Sequence, residues 1–425
     1  MYNNHEQLLI DVQKKSKKIV SSVRDVKYLK EEIESTKGLI IGFNTLRRLF
    51  GFLKETTPNI ATLNTLSKYL NFKSFDSYST SKLNFDEWHF QQQLLLIQTS
   101  KTLTDKDIIT INTGVLNNKN IVYLGYFIAN LIQENNTAIL NKVFKNIVVD
   151  TLTSSDLLQF ATIITHAFYR VPKKKAMAIY NDLTKNQTFR DTVVLLYIDY
   201  STLNGIYFNV LELVKKNSTR DSDLFFVSLM SFYKQFYTIK TLEIRYITPP
   251  ENFNKFPPVL RGRYFAYKIM NSTPIEPALK RRLIIECKKK NVHLLIEEII
   301  PALIIKQEYK VLSEISEIFY EDIFNEDNWS TKTTNSFFLI ALSNINWHGN
   351  NIHTAKKNLE LVEIEKAELS YYHYISLFYY HTKLKISHSG NDLKTNTEAY
   401  NSLKELVLKT GFIKFLEVTQ KYVLN

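Results

Sequence analysis

A chain of 425 residues, 44% hydrophobic and 23% charged, is too long for one ordinary domain at roughly 100–200 residues each, and its composition excludes global disorder. Ten glycines and nine prolines fall far short of the average of about 12% for the two together, which sets aside sandwiches, barrels and Gly-rich nucleotide folds that need many turn residues. A net charge of +12 favours anionic partners, and the single Cys287 excludes an intrachain disulfide and a Cys-rich metal site and suits a reducing cytoplasm.

The N-terminal stretch, with His5, Glu6 and the Lys14–Lys18 cluster, lacks the apolar core of a signal peptide. Charge is concentrated here. Residues 1–85 carry eleven Lys and three Arg against three Asp and five Glu, a net +6 that is half the excess of the whole chain. Such clustering fits a small nucleic-acid or partner-binding module better than a uniformly basic surface.

Val26, Leu29 and Ile33 predict an amphipathic helix over Val23–Glu34, with Lys30 the polar exception. Gly38–Gly42 reads as a turn, and a second helix is expected over Gly42–Leu53. Leu46, Leu49, Phe50 and Leu53 would form its buried stripe, leaving Asn44, Arg47, Arg48 and Gly51 on the opposite arc. Arginine can bond bidentately to guanine and asparagine to adenine, and either can hold phosphate. Pro58, capped by Thr57, would start the next helix with the stripe Ile60, Leu63, Leu66, Tyr69 and Leu70. Asn71 suits a left-handed stop, and Ser74 can cap a last short helix through Tyr78.

The run Asn44-Thr-Leu-Arg-Arg-Leu-Phe-Gly51, followed by Pro58 and Ala61-Thr-Leu-Asn-Thr-Leu-Ser-Lys-Tyr-Leu70, resembles the Cro/repressor-like helix-turn-helix family. The resemblance covers roughly Val26 to Tyr78. It implies that Gly42–Leu53 is a recognition helix, with Asn44, Thr45, Arg47 and Arg48 as DNA contacts and Lys54 near the backbone.

From about Phe85 onward the chain reads as a succession of helices with short polar joins. Candidates are Asp156–His166, Lys173–Asn186, Arg190–Tyr200, Gly205–Lys216, Ser222–Tyr237, Ile275–Lys289, Val292–Lys306, Tyr309–Tyr320, His353–Val362 and Glu368–Lys385. Two longer joins, Thr248–Pro258 and Ile386–Thr397, read as hinges. Ala176, Val210, Ala278 and Leu312 lie 34 residues apart or at double that spacing, which is similar to tetratricopeptide-like repeats.

The expected fold class is therefore all-α: a helix-turn-helix-like basic domain over 1–85 and an α-solenoid of antiparallel helix pairs over 86–425. No Walker loop, Gly-x-Gly-x-x-Gly run or His-Glu-x-x-His pair occurs, and neither a catalytic residue, a cofactor nor a metal site is expected. The aromatic run Tyr371–Tyr380, His166 and Cys287 read as packing residues. The layout resembles regulators that join such a module to tetratricopeptide-like repeats, in which the repeats bind a peptide or protein and mediate dimerisation. The expected function is DNA-binding transcriptional regulation in the cytoplasm, with DNA and a protein or peptide as partners, a homodimer as a further form and no membrane partner. The alternative is a non-enzymatic scaffold whose N-terminal domain binds protein.

Overall fold

A computed structural model describes residues 4–424 apart from 37, 55–57, 101, 118–119, 151, 240–245, 273, 290–292 and 326–331. Among the described residues there is no strand, and the chain is all-α. No helix among them is long and apolar enough to cross a membrane. The chain divides into two compact units, residues 1–127 with 148–151, and residues 128–147 with 152–425.

Unit 1 contains α1 (Asn4–Lys15), α2 (Val23–Ser35), α3 (Phe43–Leu49), α4 (Ile60–Tyr69), α5 (Phe75–Thr99) and α6 (Asp105–Val115), and α7 (Ile121–Glu134) begins in it. Its first five helices share one apolar core that runs from Leu8 to Tyr78 and includes the Val26, Leu29 and Ile33 stripe of α2. The helix ends follow local chemistry. Ser22 caps α2 by accepting from the Asp25 amide, and Ser74 caps α5 by accepting from Ser77. Asn71 takes φ +73° after α4, and Phe72 N bonds Ser67 O at 3.0 Å, closing the helix with a left-handed stop.

Several expectations change. The Lys14–Lys18 cluster ends a helix, α1, whose Leu8, Leu9 and Val12 are buried. The last short helix instead runs on to Thr99, so position 85 falls inside α5. Thr57 lies outside the described residues, and Asn59 caps α4 in its place.

Unit 2 continues with α8 (Thr137–Asn146), α9 (Ser154–Tyr169), α10 (Lys173–Leu183) and the single turn α11 (Gln187–Phe189), which widens into a π-helical turn over Arg190–Val194. Helix was expected through Tyr200. Instead residues 192–200 are all buried, and the chain leaves the α-helical path after the π-helical turn. The freed carbonyls are satisfied from afar. Arg263 donates from Nη1 to Leu195 O at 2.7 Å and from Nη2 to Leu196 O at 2.9 Å, and its Nε bonds Glu298 at 3.0 Å. Glu298 also accepts from the hydroxyls of Tyr200 and Tyr371. A fully buried ion pair thus has its remaining hydrogen-bonding capacity filled, which is the condition for tolerating it.

After α12 (Ile206–Asn217) and α13 (Asp221–Thr238) come α14 (Pro258–Asn271), α15 (Pro277–Cys287), α16 (His293–Ile305), α17 (Tyr309–Asn325), α18 (Lys332–His348), α19 (Ile352–Glu360), α20 (Leu369–Ser389), α21 (Leu393–Thr410) and α22 (Lys414–Thr419). Alternate helices pack on one another: α14 on α16, α16 on α18, and α18 on α20. The helices between them pack against their neighbours in sequence. α16 has every residue from Leu294 to Ile305 buried, its two glutamates included, as a helix in the middle of a packed row must. The tightest approach in the row is at Gly262 of α14, where an added Cβ would sit 2.8 Å from Leu295 O.

The expected hinge over Ile386–Thr397 is mostly helix: α20 reaches Ser389 and α21 starts at Leu393. Thr248–Pro258 is a genuine join that carries a 3-10 turn over Glu251–Lys255 and ends at Pro258, the first residue of α14. Of the residues spaced by 34, Ala176, Val210 and Leu312 are buried, but Ala278 near the start of α15 is exposed.

Candidate nucleic-acid interface

α3 is held by the helices around it. Tyr69 of α4 donates its hydroxyl to Glu32 of α2 at 2.5 Å, Tyr78 of α5 to Asp11 of α1 at 2.8 Å, and the Phe75 amide to Asn64 of α4 at 2.7 Å. Burial, with the Glu32 carboxylate second, pushes the Tyr69 hydroxyl well above its ordinary value, so it remains a donor. α3 itself packs against α2 and anchors through Leu46, which is fully buried. Phe43, Leu49 and Phe50 are half-buried against the same core.

The expected helix Gly42–Leu53 is shorter, ending at Leu49. Gly51 takes φ +76°, its amide bonding Arg48 O at 3.2 Å and the Phe52 amide bonding Arg47 O at 2.8 Å. This closure uses the conformation in which glycine carries no Cβ penalty. Gly51 is therefore the stop of α3 rather than part of its polar face. The connection from α2 covers 36–42, longer than the 3–4-residue turn of a tight helix-turn-helix.

The five sequence-selected residues separate by environment. Asn44 and Arg48, one turn apart, are both exposed. Arg47 is half-buried: its Nη1 donates to Asn44 Oδ1 at 3.4 Å, its guanidinium lies 5.7 Å from the Phe43 ring centre, and its buried Nε has no hydrogen-bond partner. Thr45 is half-buried, and Lys54 is exposed beyond the helix end. Asn44, Arg47 and Arg48 thus come together opposite Leu46, while Thr45 and Lys54 flank them in sequence.

The charge of this face is uncompensated among the described residues. Arg48 and Lys54 make no ion pair among the described residues, in contrast to the lysines of the N-terminal cluster. Lys14 pairs with Asp11 at 3.5 Å and Lys18 with Asp25 at 3.2 Å, while Lys15 donates to Tyr69 O. The Ser22 hydroxyl and then Lys18 hold the Asp25 carboxyl well below its usual range. Two exposed cations on α2, Arg24 and Lys27, also lack an ion pair among the described residues. Sequence reasoning counted their charge but gave them no role; their spacing by three on the polar arc of α2 was the available signal.

The other sequence-selected groups are packing residues. Tyr371, Tyr374 and Phe378 are buried, and Tyr374 meets the Tyr237 hydroxyl at 2.8 Å. Cys287 is buried, and burial first, with Glu286 second, pushes its thiol up to about 12, which outweighs the basic residues beside it in sequence. The His348 ring lies against Tyr309, with centres 4.6 Å apart and the planes tilted by 32°. No group of three or more His, Cys, Asp or Glu among the described residues is arranged to hold a metal ion. No family model, curated protein or solved structure matches the chain.

Proposed function

We propose that the protein is a DNA-binding regulator in which α3 enters a groove of duplex DNA and unit 2 carries a protein or peptide partner. The observation that carries the first part is the pair Asn44 and Arg48: exposed, one turn apart, backed by a fully buried Leu46 and free of any acidic partner among the described residues. An α-helix with its side chains is about 10–12 Å across, which a major groove about 12 Å wide admits. Asn44 and Arg48 are assigned to base edges. Arg47 and Lys54 are assigned to phosphates. Helix-turn-helix-like use of α3 rests on this face and not on the turn before it.

For unit 2, the row of alternate helices from α14 to α20 supports a solenoid-like array, since helix pairs that cannot bury their apolar faces alone do so by stacking. Regulation would follow if the partner changed the affinity of α3 for DNA.

Selection of the full-length chain against a random duplex library tests the DNA reading. Enrichment of a motif is expected, and Asn44→Ala with Arg48→Ala should degrade it by about 1–3 kcal/mol at the contacted positions. Recovery of no motif, or a motif unchanged in the double variant, contradicts the assignment and leaves an acidic protein as the partner of this face.

A further inference from the structure

Between α9, α10 and the start of α12, a cavity of about 250 Å³ opens to the surface. Its walls include Phe168, Tyr169, Tyr180, Tyr207, Thr202 and the carboxylate of Asp199. Phe168 and Tyr180 stack with ring centres 3.8 Å apart at 19°. An apolar, aromatic wall with a few convergent polar groups is the general composition of a small-molecule site.

Asp199 is 2% exposed and accepts from the hydroxyls of Tyr169 and Thr202 and, at 3.2 Å, from the Thr202 amide. It has no cationic partner among the described residues. This separates it from the other buried carboxylates of unit 2. Asp223 pairs with Arg190 and Arg220, Glu286 with Arg261 and Lys289, and Glu298 with Arg263. Glu297, bonded by the Thr334 hydroxyl, borders a space of only about 10 Å³, room for little more than one water. Asp199 is thus buried without a cation among the described residues and lines a cavity that can hold a ligand. Lys173, also on the wall, is exposed and makes no ion pair with it.

The second observation is the Tyr180 hydroxyl. Tyr180 is 6% exposed and lines the same cavity, yet its hydroxyl makes no hydrogen bond to any described residue. On the wall of the cavity, that hydroxyl is available to donate to or accept from a ligand.

We propose that this cavity binds a small organic ammonium ion with an apolar body. The ammonium donates to Asp199 and supplies the countercharge the protein omits, the body lies among the four aromatic rings, and a polar atom of the ligand meets the Tyr180 hydroxyl. Aromatic rings around a cation add the attraction of their π faces, which is strongest where water is excluded. The cavity lies wholly within unit 2, so its occupancy stands or falls independently of DNA binding by α3.

Calorimetric titration of the full-length chain near neutral pH, with 2-phenylethylamine and separately with 2-phenylethanol, tests the proposal. The amine is cationic and the alcohol its neutral counterpart. The amine should bind about tenfold or more tighter than the alcohol. Asp199→Asn, which keeps an acceptor for Tyr169 and Thr202, should remove that preference while leaving the alcohol unaffected. Tyr180→Phe should leave the preference in place. Equal binding of the two probes, no binding of the amine up to about 10 mM, or an undiminished preference in a folded Asp199→Asn protein would overturn it. If Asp199→Asn does not fold, the ratio measured on the unaltered protein decides alone.

Discussion

Single residues show how this chain handles buried charge. Lys385 is fully buried in α20 and has no carboxylate to pair with among the described residues. Its ammonium donates to Tyr309 Oη and Asn344 Oδ1, both at 2.9 Å, and lies 5.2 Å from the Trp347 ring centre. Burial pulls its pKa from the ordinary 10.5 to about 7. Between those values the unfolded chain holds a proton that the folded chain lacks, so this group makes stability rise with pH from about 7 to about 10.5. Below about pH 7 the cost of the buried ammonium is fully present. One turn before it, His381 is 1% exposed with neither ring nitrogen bonded, and burial holds it well below its ordinary 6.5, so acid destabilises this region further. Buried tyrosines and Cys287 add an opposite slope at high pH, and a difference between proteins removes it. The stability of Lys385→Met minus that of the unaltered protein, from denaturant unfolding, should shrink with rising pH across 7–10, by on the order of 1 kcal/mol per unit. A difference independent of pH would mean that Lys385 titrates normally.

At the scale of elements, caps were legible and lengths were not. Ser74, Asn71 and the Val26, Leu29 and Ile33 stripe acted as their local chemistry predicts, because capping and amphipathic spacing are encoded within a few residues. α3 was read too long because Leu49, Phe50 and Leu53 continue an apolar period past Gly51, whose positive φ ends the helix. The segment Arg190–Tyr200 departs from the expected α-helix for a different reason: after its π-helical turn, the carbonyls of Leu195 and Leu196 depend on Arg263, more than sixty residues away. No window of sequence contains that information. Gly262 is a similar case: the need for glycine there comes from α16, whose Leu295 O an added Cβ would approach to 2.8 Å. Gly262→Ala should raise local helix propensity by about 1 kcal/mol, yet destabilise the protein by about 1–3 kcal/mol by forcing α14 off α16. A net gain in thermal stability would show that the two helices can separate without cost.

For the whole molecule, the all-α class followed from the shortage of glycine and proline, and the small N-terminal core from clustered charge and stripes. The packing of α14 on α16 and onward to α20 was not legible, since the 34-residue spacing places Ala278 in solvent. The candidate DNA face was legible in identity through Asn44, Arg47 and Arg48. Its isolation from acidic residues was not, because that depends on which lysines are already paired. In the sequence all fourteen basic residues of 1–85 look alike. Folding ties down Lys14, Lys15, Lys18 and Lys30 and leaves Arg48 and Lys54 without an ion pair among the described residues.

The central claim is that these cations hold DNA. The most direct measurement is the affinity of the full-length chain for a labelled duplex, titrated between about 50 and 200 mM salt, for the unaltered protein, Lys54→Ala and Arg48→Ala. Affinity should fall linearly on a log–log scale. Lys54→Ala should reduce the slope by about one, and Arg48→Ala should weaken a selected site more than a random one. Absence of salt-dependent binding, or identical slopes and site preference in all three proteins, would contradict the account.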